Sequence, residues 1–280
     1  MTDSTASLPA HLPDGIDPEG LRVVPLHVLV GEDSFLEGVE MSDEDLALRL
    51  RAGARVTTSQ PSPAAFAAAY AAAARAGAGS VVSVHLSGAL SGTVHAAALA
   101  ASRAPVPVRV LDSRTVGMGL GFAALAAARA AQDGAPLEEV ARRAIAVADS
   151  SRAVFMVESL DHLRRGGRLS ATAAAIGTAL GVRPLLSVRD GSIVVVQKVR
   201  TRVAAVDRMI DVAVEAAGRR RSPVLAVHHL GDPGLAEDVA WRLRSRVDVP
   251  TLTSPVSAVV GAHVGEGVLA VIVADDDAGR

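Results

Sequence analysis

The chain alternates between short valine-rich segments and longer helix-like segments, and this alternation constrains its fold more than any other feature. In the first half, residues 23–30, 80–84 and 106–111 are β-branched runs that predict strands. Helices are predicted at residues 42–51, 63–76, 93–102, 119–132 and 137–149. Strands separated by helices of this length indicate an α/β fold with a mainly parallel sheet and helices on its faces.

The second half has a different pattern, in which two β-rich runs flank the tripeptide Arg189-Asp190-Gly191. An Asp-Gly pair in this setting is typical of a hairpin, so residues 184–188 and 192–199 are predicted to pair antiparallel. The other predicted elements are strands at 153–157, 224–227, 249–252 and 268–273 and helices at 202–217 and 233–244. We therefore expect an N-terminal α/β domain at residues 1–152 and a C-terminal α+β domain with a mixed sheet at residues 153–280.

Composition excludes several classes of function. The 280 residues are 50% hydrophobic and carry a net charge of -2, so no basic excess points to nucleic acid. The absence of cysteine rules out disulfides, thiolate catalysis and cysteine-based zinc sites. The most continuous small apolar run, residues 64–74, is mostly alanine and too short to span a bilayer. Because the first residues also lack the pattern of a signal peptide, we expect a cytoplasmic protein without an integral membrane segment.

Two polar clusters lie next to predicted helix starts. Residues 57–60, Thr-Thr-Ser-Gln, stand before the alanine-rich helix, where free N–H groups and the helix dipole favour an anion. Residues 85–93 follow a buried strand, and small residues at such a position are typical of ligand sites in open α/β sheets. A capped loop and a Gly/Ser turn have the same composition, so both interpretations of each cluster stay open.

Two enzymatic interpretations are also open. Gly119, Gly121 and Ala124 fit the Gly-x-Gly-x-x-Ala pattern of a nucleotide-dependent oxidoreductase, although close packing of a helix explains these glycines better. Ser91 and His263 could serve a serine acyl hydrolase, but Ser91 lacks the Gly-x-Ser-x-Gly elbow. The His-His pair at residues 228–229 lacks the spacing of ligands on one helix face, so no metal centre is expected.

Seven short segments, in this order along almost the whole chain, resemble the DegV family. They are Asp-Ser-Thr at residues 3–5, Thr-Ser-Gln-Pro at 58–61, Leu-Ser-Gly-Thr at 90–93, Asp-Ser at 112–113 with the downstream Gly-x-Gly at 119–121, the leucine and Arg-Arg-Gly-Gly-Arg segment at 160–168, Arg-Pro-Leu-Leu at 183–186 with Lys-Val-Arg at 198–200, and His-x-Gly-x-Gly at 263–267. Each segment alone is weak evidence, whereas seven in register are highly specific.

The resemblance implies a two-domain α/β fold that buries one long-chain fatty acid between sheet and helices, as a ligand and with no cofactor. It implies that the fatty-acid carboxylate is bound by these residues: Thr58, Ser59, Ser91, Gly92, Thr93 and His263. In the family, a separate dihydroxyacetone-kinase-like fatty acid kinase subunit phosphorylates the bound acid with ATP, and the acyl-phosphate enters phospholipid synthesis. The chain is then a lipid-binding carrier and not an enzyme, and Arg200 is the candidate residue for docking of the kinase.

Two features depart from the family pattern. Family members begin with a short apolar strand before Asp-Ser-Thr, whereas Asp3 follows only two residues, so we expect a misassigned start or a missing first strand. Glu266 stands where the family has a neutral residue, and its charge would weaken carboxylate binding unless it points outward. Alanine, valine and leucine otherwise suit an acyl chain, since about fifteen buried methylenes offer roughly 12 kcal/mol before binding costs. Hydroxyls and a histidine can hold the carboxylate without a permanent cation.

Overall fold

A pair of helices lies between the parallel strands of the first half of the chain and a six-stranded sheet of the second half. The computed structural model describes residues 1–12, 16–17, 20–169, 183–276 and 278. The strands are β1 (Thr2–Asp3), β2 (Val23–Val24), β3 (His27–Val30), β4 (Asp33–Leu36), β5 (Val56–Ser59), β6 (Val81–His85), β7 (Val108–Asp112), β8 (Arg152–Met156), β9 (Arg183–Arg189), β10 (Ser192–Val199), β11 (Pro223–His229), β12 (Thr251–Pro255) and β13 (Leu269–Asp275).

The helices within these ranges follow the same order along the chain. They are α1 (Asp43–Arg51), α2 (Pro63–Arg75), α3 (Thr93–Ala101), α4 (Met118–Gln132), α5 (Leu137–Ser150), α6 (Asp161–Arg165), α7 (Arg202–Ala217), α8 (Pro233–Val247) and α9 (Ala258–Val264). Helices α4 and α5 pack against each other and touch both β6 and β13, so they separate the parallel strands around β6 from the six-stranded sheet that contains β13. None of the helices in the described part of the chain is both long and apolar enough to cross a membrane.

The N-terminal half contains parallel strands and a small antiparallel sheet. Strands β1 and β2 pair in parallel, as do β6 and β7. The N–H of Val84 donates to the carbonyl of Met1 at 3.0 Å, which joins β1 to β6. Thr2–Asp3 thus forms a short strand between β2 and β6, and it includes the first residue of the Asp-Ser-Thr segment. The antiparallel sheet β4-β3-β5 packs against α9 through β3 and β5, and it was not predicted from the sequence.

The C-terminal half forms one mixed sheet of six strands in the order β10-β9-β8-β13-β11-β12. Among the neighbouring strands of this sheet that the structure describes, β11 and β12 pair in parallel and the other neighbours pair antiparallel. The predicted hairpin joins β9 to β10, and its turn residues Asp190 and Gly191 have φ angles of 50° and 79°. Two successive positive φ angles are what a tight hairpin turn of this type requires. The predicted fold class, with parallel strands in the first half and a mixed sheet in the second, is confirmed.

Side chains of the two central strands alternate between two hydrophobic layers. Val154 and Met156 of β8 face helices α7 and α8 together with alternate residues of β13. Ala153 and Phe155 face the opposite layer, where they pair across the strands with Ile272 and Ala270, respectively. Each of these pairs joins a large side chain to an alanine. The face opposite α7 and α8 therefore keeps free volume that a pair of large residues would fill.

The hydrophobic layer opposite α7 and α8 draws on both halves of the chain. It contains Leu86 and Leu125 from the first half and Phe155, Val259 and Ile272 from the second. Strand β8 begins at Arg152, beside the predicted boundary between residues 1–152 and 153–280. The division into two domains at this boundary stays a prediction.

Candidate ligand-binding site

A cavity of about 320 Å³ lies between the six-stranded sheet, α9 and strand β5. Its lining is mostly aliphatic, with residues such as Leu86, Leu90, Val188, Val259 and Ile272. Its polar lining residues come from several segments: Thr5, Thr58, Ser59, Gln60, Ser91, Arg168, His228 and His263. Cavities with apolar walls and a few placed polar groups are typical of sites that bind amphipathic small molecules.

Thr58 and His263 meet in this cavity although they are far apart in the sequence. The Thr58 hydroxyl and the Nε2 atom of His263 lie 2.8 Å apart, a hydrogen-bonding distance. Thr58 is held in β5 by pairing with Val28 of β3. His263 is positioned by the short helix α9, which begins at the cap Ser257, whose hydroxyl accepts from the Val260 N–H. Strand and helix pack on each other, and this contact fixes the pair.

The environment of His263 favours its neutral form. Burial, and next the positive charge of Arg168, lower the pKa of His263 to about 4. A neutral imidazole carries one N–H, so it can donate one hydrogen bond while its other nitrogen accepts. Gly166 lies close to the other side of the ring, where a Cβ atom would overlap Nδ1. The Gly-Gly-Arg segment thus leaves room for the ring at Gly166, a role that the sequence analysis did not identify.

The Leu-Ser-Gly-Thr segment reaches the same cavity at the start of α3. The Ser91 hydroxyl lines the cavity and lies 2.9 Å from the Thr93 hydroxyl. Thr93, expected among the carboxylate-binding residues, is fully buried behind Ser91 and outside the cavity lining. Gly92 and Ser59 both line the cavity. A Cβ atom at Gly92 would meet the side-chain amide of the exposed Gln60, which packs against this glycine.

Arg168 is a cation at the cavity that the sequence analysis did not include among the binding residues. It lines the cavity, and its Nε donates to the carbonyl of Leu90 at 3.1 Å. Its Nη1 donates to the carbonyl of Gly166. We expected hydroxyls and a histidine alone, whereas a half-buried guanidinium stands beside them. The arginine could have been recognised from the Arg-Arg-Gly-Gly-Arg segment, whose position in space the sequence does not define.

Glu266 is directed away from the cavity. Its carboxylate forms an ion pair with Arg51 of α1, and the residue is outside the cavity lining. The hydrogen bond to Glu266 raises the pKa of Arg51 above its ordinary value. The positive charge of Arg51 and the negative charge of Glu266 therefore compensate each other. The negative charge that departs from the family pattern therefore does not face the polar end of the cavity.

His228 is a buried residue of the cavity lining, and both of its ring nitrogens form hydrogen bonds inside the protein. Its Nε2 accepts a hydrogen bond from the Met118 N–H at 2.9 Å, so Nδ1 carries the proton and donates to the Ser254 carbonyl at 3.1 Å. Burial lowers its pKa to about 4, which agrees with a neutral ring. His228 therefore caps α4 with one nitrogen and ties β11 to β12 with the other. No group of three His, Cys, Asp or Glu residues within the described ranges is arranged to hold a metal ion.

The glycines of the oxidoreductase interpretation pack inside the protein. A Cβ atom at Gly119 would overlap the Thr115 hydroxyl, and one at Gly121 would lie 2.9 Å from the Ala6 carbonyl oxygen. Close packing of α4 on its neighbours therefore accounts for both glycines, as the sequence analysis favoured. For the hydrolase interpretation, the hydroxyl of Ser91 is bonded to Thr93 and the ring of His263 to Thr58. The structure shows no hydrogen bond between Ser91 and His263 in the part it describes.

Known proteins of the same architecture have been characterised as lipid-binding. The DegV family, described as an uncharacterised protein family, matches residues 1–276. DegV domain-containing proteins of Streptomyces coelicolor and Mycobacterium tuberculosis are 46% and 43% identical to this chain over 98% of its length, and the matches cover 96% and 95% of those proteins. A fatty-acid-binding DegV family protein from Thermus thermophilus superposes with a TM-score of 0.86 at 31% identity, covering 98% of each chain.

A second solved structure, that of the fatty acid binding protein DegV from Bacillus subtilis, also gives a TM-score of 0.86 at 31% identity, with 98% of this chain and 97% of the other covered. This α/β chain, with a largely apolar cavity beside a Thr–His pair, thus shares the architecture of fatty-acid-binding structures. The chain belongs to the DegV family.

Proposed function

We propose that this protein binds one long-chain fatty acid, with the acyl chain in the apolar cavity and the carboxylate near Thr58, Ser91 and His263. The observation that carries this proposal is the Thr58–His263 hydrogen bond at a cavity whose other walls are aliphatic. Structural relatives that bind fatty acids, at 31% identity over nearly the whole chain, support it.

The chemistry of the polar residues suits a carboxylate that leaves water. A buried carboxylate must keep its hydrogen bonds, and hydroxyls and a neutral imidazole N–H can donate them. Thr93 supports this arrangement indirectly, since its hydroxyl is bonded to that of Ser91. Arg168 adds a positive charge at the cavity edge, which favours an anion without enclosing it. Burial of each acyl methylene then contributes about 0.8 kcal/mol to binding.

We further infer that the protein is a carrier that presents the carboxylate to a separate ATP-dependent, dihydroxyacetone-kinase-like subunit. Arg200 is exposed directly after β10, and it makes no ion pair with any residue in the described ranges. Such a charge is available to a partner surface, where rim charges act mainly on association. The two-domain division near residue 152 belongs to the same proposal, with the ligand held between the domains.

Native mass spectrometry before and after delipidation tests the binding proposal. We expect one bound fatty acid per chain, identified in an organic extract. An unchanged mass, together with an extract that holds no fatty acid, would refute the carrier function. An absorbing nicotinamide or flavin in the purified protein would instead favour the oxidoreductase.

Single substitutions test the carboxylate site. Thr58→Val, Ser91→Ala and His263→Ala each remove one donor, and we expect each to weaken fatty-acid binding by about 1–3 kcal/mol. Isothermal titration calorimetry of the delipidated variants measures the loss. If Ser91→Ala and His263→Ala both bind with wild-type affinity, the carboxylate lies elsewhere. Turnover of acyl esters that is lost in both variants would revive the hydrolase interpretation.

The kinase proposal is tested with the cognate kinase and ATP. Arg200→Ala should keep fatty-acid affinity and lower the rate of acyl-phosphate formation, because the residue stands outside the cavity lining. Arg103→Ala, a change of another exposed arginine in the first half, is the matched control and should behave as wild type. Equal rates for both variants would remove Arg200 from the docking surface.

A further inference from the structure

Glu37 is a buried acid that directly follows strand β4 and contacts the start of helix α9. Its backbone N–H donates to the carbonyl of Leu26 at 3.0 Å, which anchors it to the segment before β3. Its Oε1 atom accepts a hydrogen bond from the N–H of Val259, the second residue of α9. Glu37 itself is outside the cavity lining, so any effect on a ligand must act through α9.

The start of α9 needs an acceptor at this position. The first N–H groups of a helix have no partner within the helix and must be bonded from outside. The hydroxyl of Ser257 accepts from the Val260 N–H at 3.3 Å, and the Ser257 N–H donates to the Ser7 hydroxyl at 3.0 Å. The N–H of Val259, a buried residue, is bonded to Glu37 instead. The carboxylate therefore adds to the cap of α9 and joins the helix to the small sheet.

The bond to Glu37 acts on the side of α9 that carries His263. Val259 and His263 are four residues apart, so they lie about one turn apart on the same side of the helix. Both residues line the proposed acyl cavity. Because α9 is only 7 residues long, a shift of its first turn also displaces the turn that holds the imidazole.

One small sheet supports both partners of the Thr58–His263 hydrogen bond. Strands β4 and β5 both pair with β3 and end in the same row of the sheet, at Leu36 and Ser59. Glu37 directly follows that row and Thr58 directly precedes it, so both residues stand at one end of the sheet. The sheet therefore holds Thr58 within β5 and holds His263 through Glu37 and α9.

We propose that Glu37 is a positioning residue, which holds α9 so that the His263 ring meets Thr58 at the cavity. The value of this position for a ligand rests on the proposed fatty-acid function. Burial raises the pKa of Glu37, so an ionised acid is costly here. The low pKa of His263 follows from burial and next from the charges of Arg168 and His162. Glu37 thus acts on His263 through the position of α9 and not through its charge.

The pKa of the His263 ring in the ligand-free protein tests the proposal. Glu37→Leu keeps much of the side-chain volume but removes the acceptor, and Glu37→Ala removes it without a new branched side chain. In both variants we expect the pKa of His263, about 4 in the wild type, to rise toward its ordinary value of 6.5, because a displaced ring regains contact with water. Glu37→Gln keeps an oxygen acceptor, so its ring should titrate as in the wild type. NMR of protein labelled with 15N-histidine measures the titration, and the spectrum of His263→Gln assigns the signal.

Fatty-acid affinity and stability are measured on the same variants by calorimetric titration and urea unfolding. Glu37→Leu and Glu37→Ala should bind about tenfold more weakly than wild type, whereas Glu37→Gln should bind as wild type does. Leu243→Ala is the matched control, because Leu243 is buried in the layer of α7 and α8 on the opposite face of the six-stranded sheet. This control should be less stable than wild type and keep both the pKa of His263 and the affinity.

The outcomes separate the role of Glu37 from the proposed function. A wild-type pKa of His263 in both Glu37→Leu and Glu37→Ala overturns the proposal, and so does a rise of equal size in Leu243→Ala. A raised pKa with wild-type affinity also overturns it, because the position of the ring would then not serve ligand binding. If the wild type binds no fatty acid, the proposed function fails, while the ring titration still decides whether Glu37 holds His263 in place.

Discussion

The substitution Gly166→Ala separates ligand binding from folding at the proposed carboxylate site. Gly166 has φ and ψ angles of -73° and -11°, which alanine adopts without strain. Its added methyl group, however, would overlap Nδ1 of His263 and lie 3.1 Å from the His162 carbonyl oxygen. The imidazole must therefore move, and its 2.8 Å hydrogen bond to Thr58 is the contact that such a movement breaks.

The size of the effect follows from the bonds involved. A hydrogen bond to a charged group is worth about 1.5–3 kcal/mol, so displacing His263 should weaken fatty-acid binding roughly 10- to 150-fold. Replacing glycine by alanine at an unstrained position also restricts the unfolded chain, which stabilises a protein by about 0.4–1 kcal/mol. This gain offsets part of the steric cost, so the free energy of unfolding should change little while affinity falls.

Calorimetric titration of fatty acid and urea unfolding of the delipidated protein measure the two quantities. Gly79→Ala is the matched control, because no atom lies within 4 Å of the position its Cβ would take. We expect the control to bind as wild type does. Wild-type affinity in Gly166→Ala would show that the position of His263 does not govern binding, and a large loss of stability in the variant would show that steric strain, and not the site, dominates.

Three further outcomes are expected. Burial raises the pKa of Glu37 above its ordinary value of 4.5, so the buried carboxylate destabilises the wild type as pH rises above 4.5. Glu37→Gln should therefore have a larger free energy of unfolding than wild type near neutral pH and an equal one in acid, as measured by urea unfolding. The pKa of His263 is about 4 in the folded protein against an ordinary value of 6.5, so folding stability falls by about 3 kcal/mol at most as pH falls from 6.5 towards 4. Ligand-free His263→Gln should lose less stability than wild type over that pH range. Asp3 is fully buried, and its carboxylate accepts from the Leu86 N–H at 3.0 Å and lies 3.0 Å from His85 Nδ1. Asp3→Asn should therefore lower the free energy of unfolding by about 2–4 kcal/mol, and an unchanged melting temperature would contradict this.

Elements with strong local signals could be predicted from the sequence. Helix α7 was predicted with the bounds Arg202–Ala217 that the structure shows, and Thr201 caps it by accepting from the Ala204 N–H. The β9–β10 hairpin follows from Asp190 and Gly191 in the same way. These elements depend on neighbouring residues, and so their signal lies in the local sequence.

Elements that depend on distant partners were missed. Residues 57–60 were predicted only as a polar segment before a helix, yet Val56–Ser59 is strand β5, which exists because β3 offers it a pairing edge. No helix was predicted between residues 252 and 268, yet α9 spans Ala258–Val264. Gly261 weakens the local helix signal, and its lack of a side chain is explained only by the approach of Leu46 and Leu230 from other segments.

The residues of the proposed carboxylate site also divide into those that the sequence identified and those that depend on distant contacts. Thr58, Ser91 and His263 were identified from short segments that resemble a family, and the structure places all three in the lining of one cavity. The place of Arg168 beside them could not be predicted, because it depends on a hydrogen bond to the Leu90 carbonyl from a different part of the chain. The direction of Glu266 was equally undefined until its partner Arg51 was known.

The position of β13 in the C-terminal sheet has a consequence for the order of folding. This strand follows the others of its sheet in the sequence, yet it lies in the sheet interior between β8 and β11. Until it inserts, β8 and β11 each keep an open edge whose N–H and C=O groups can pair with another chain. Contacts between such distant segments form slowly. Because α9 and its His263 directly precede β13, and Ala270 and Ile272 of β13 line the cavity, we expect the proposed ligand site to be completed by the same late step that closes the sheet.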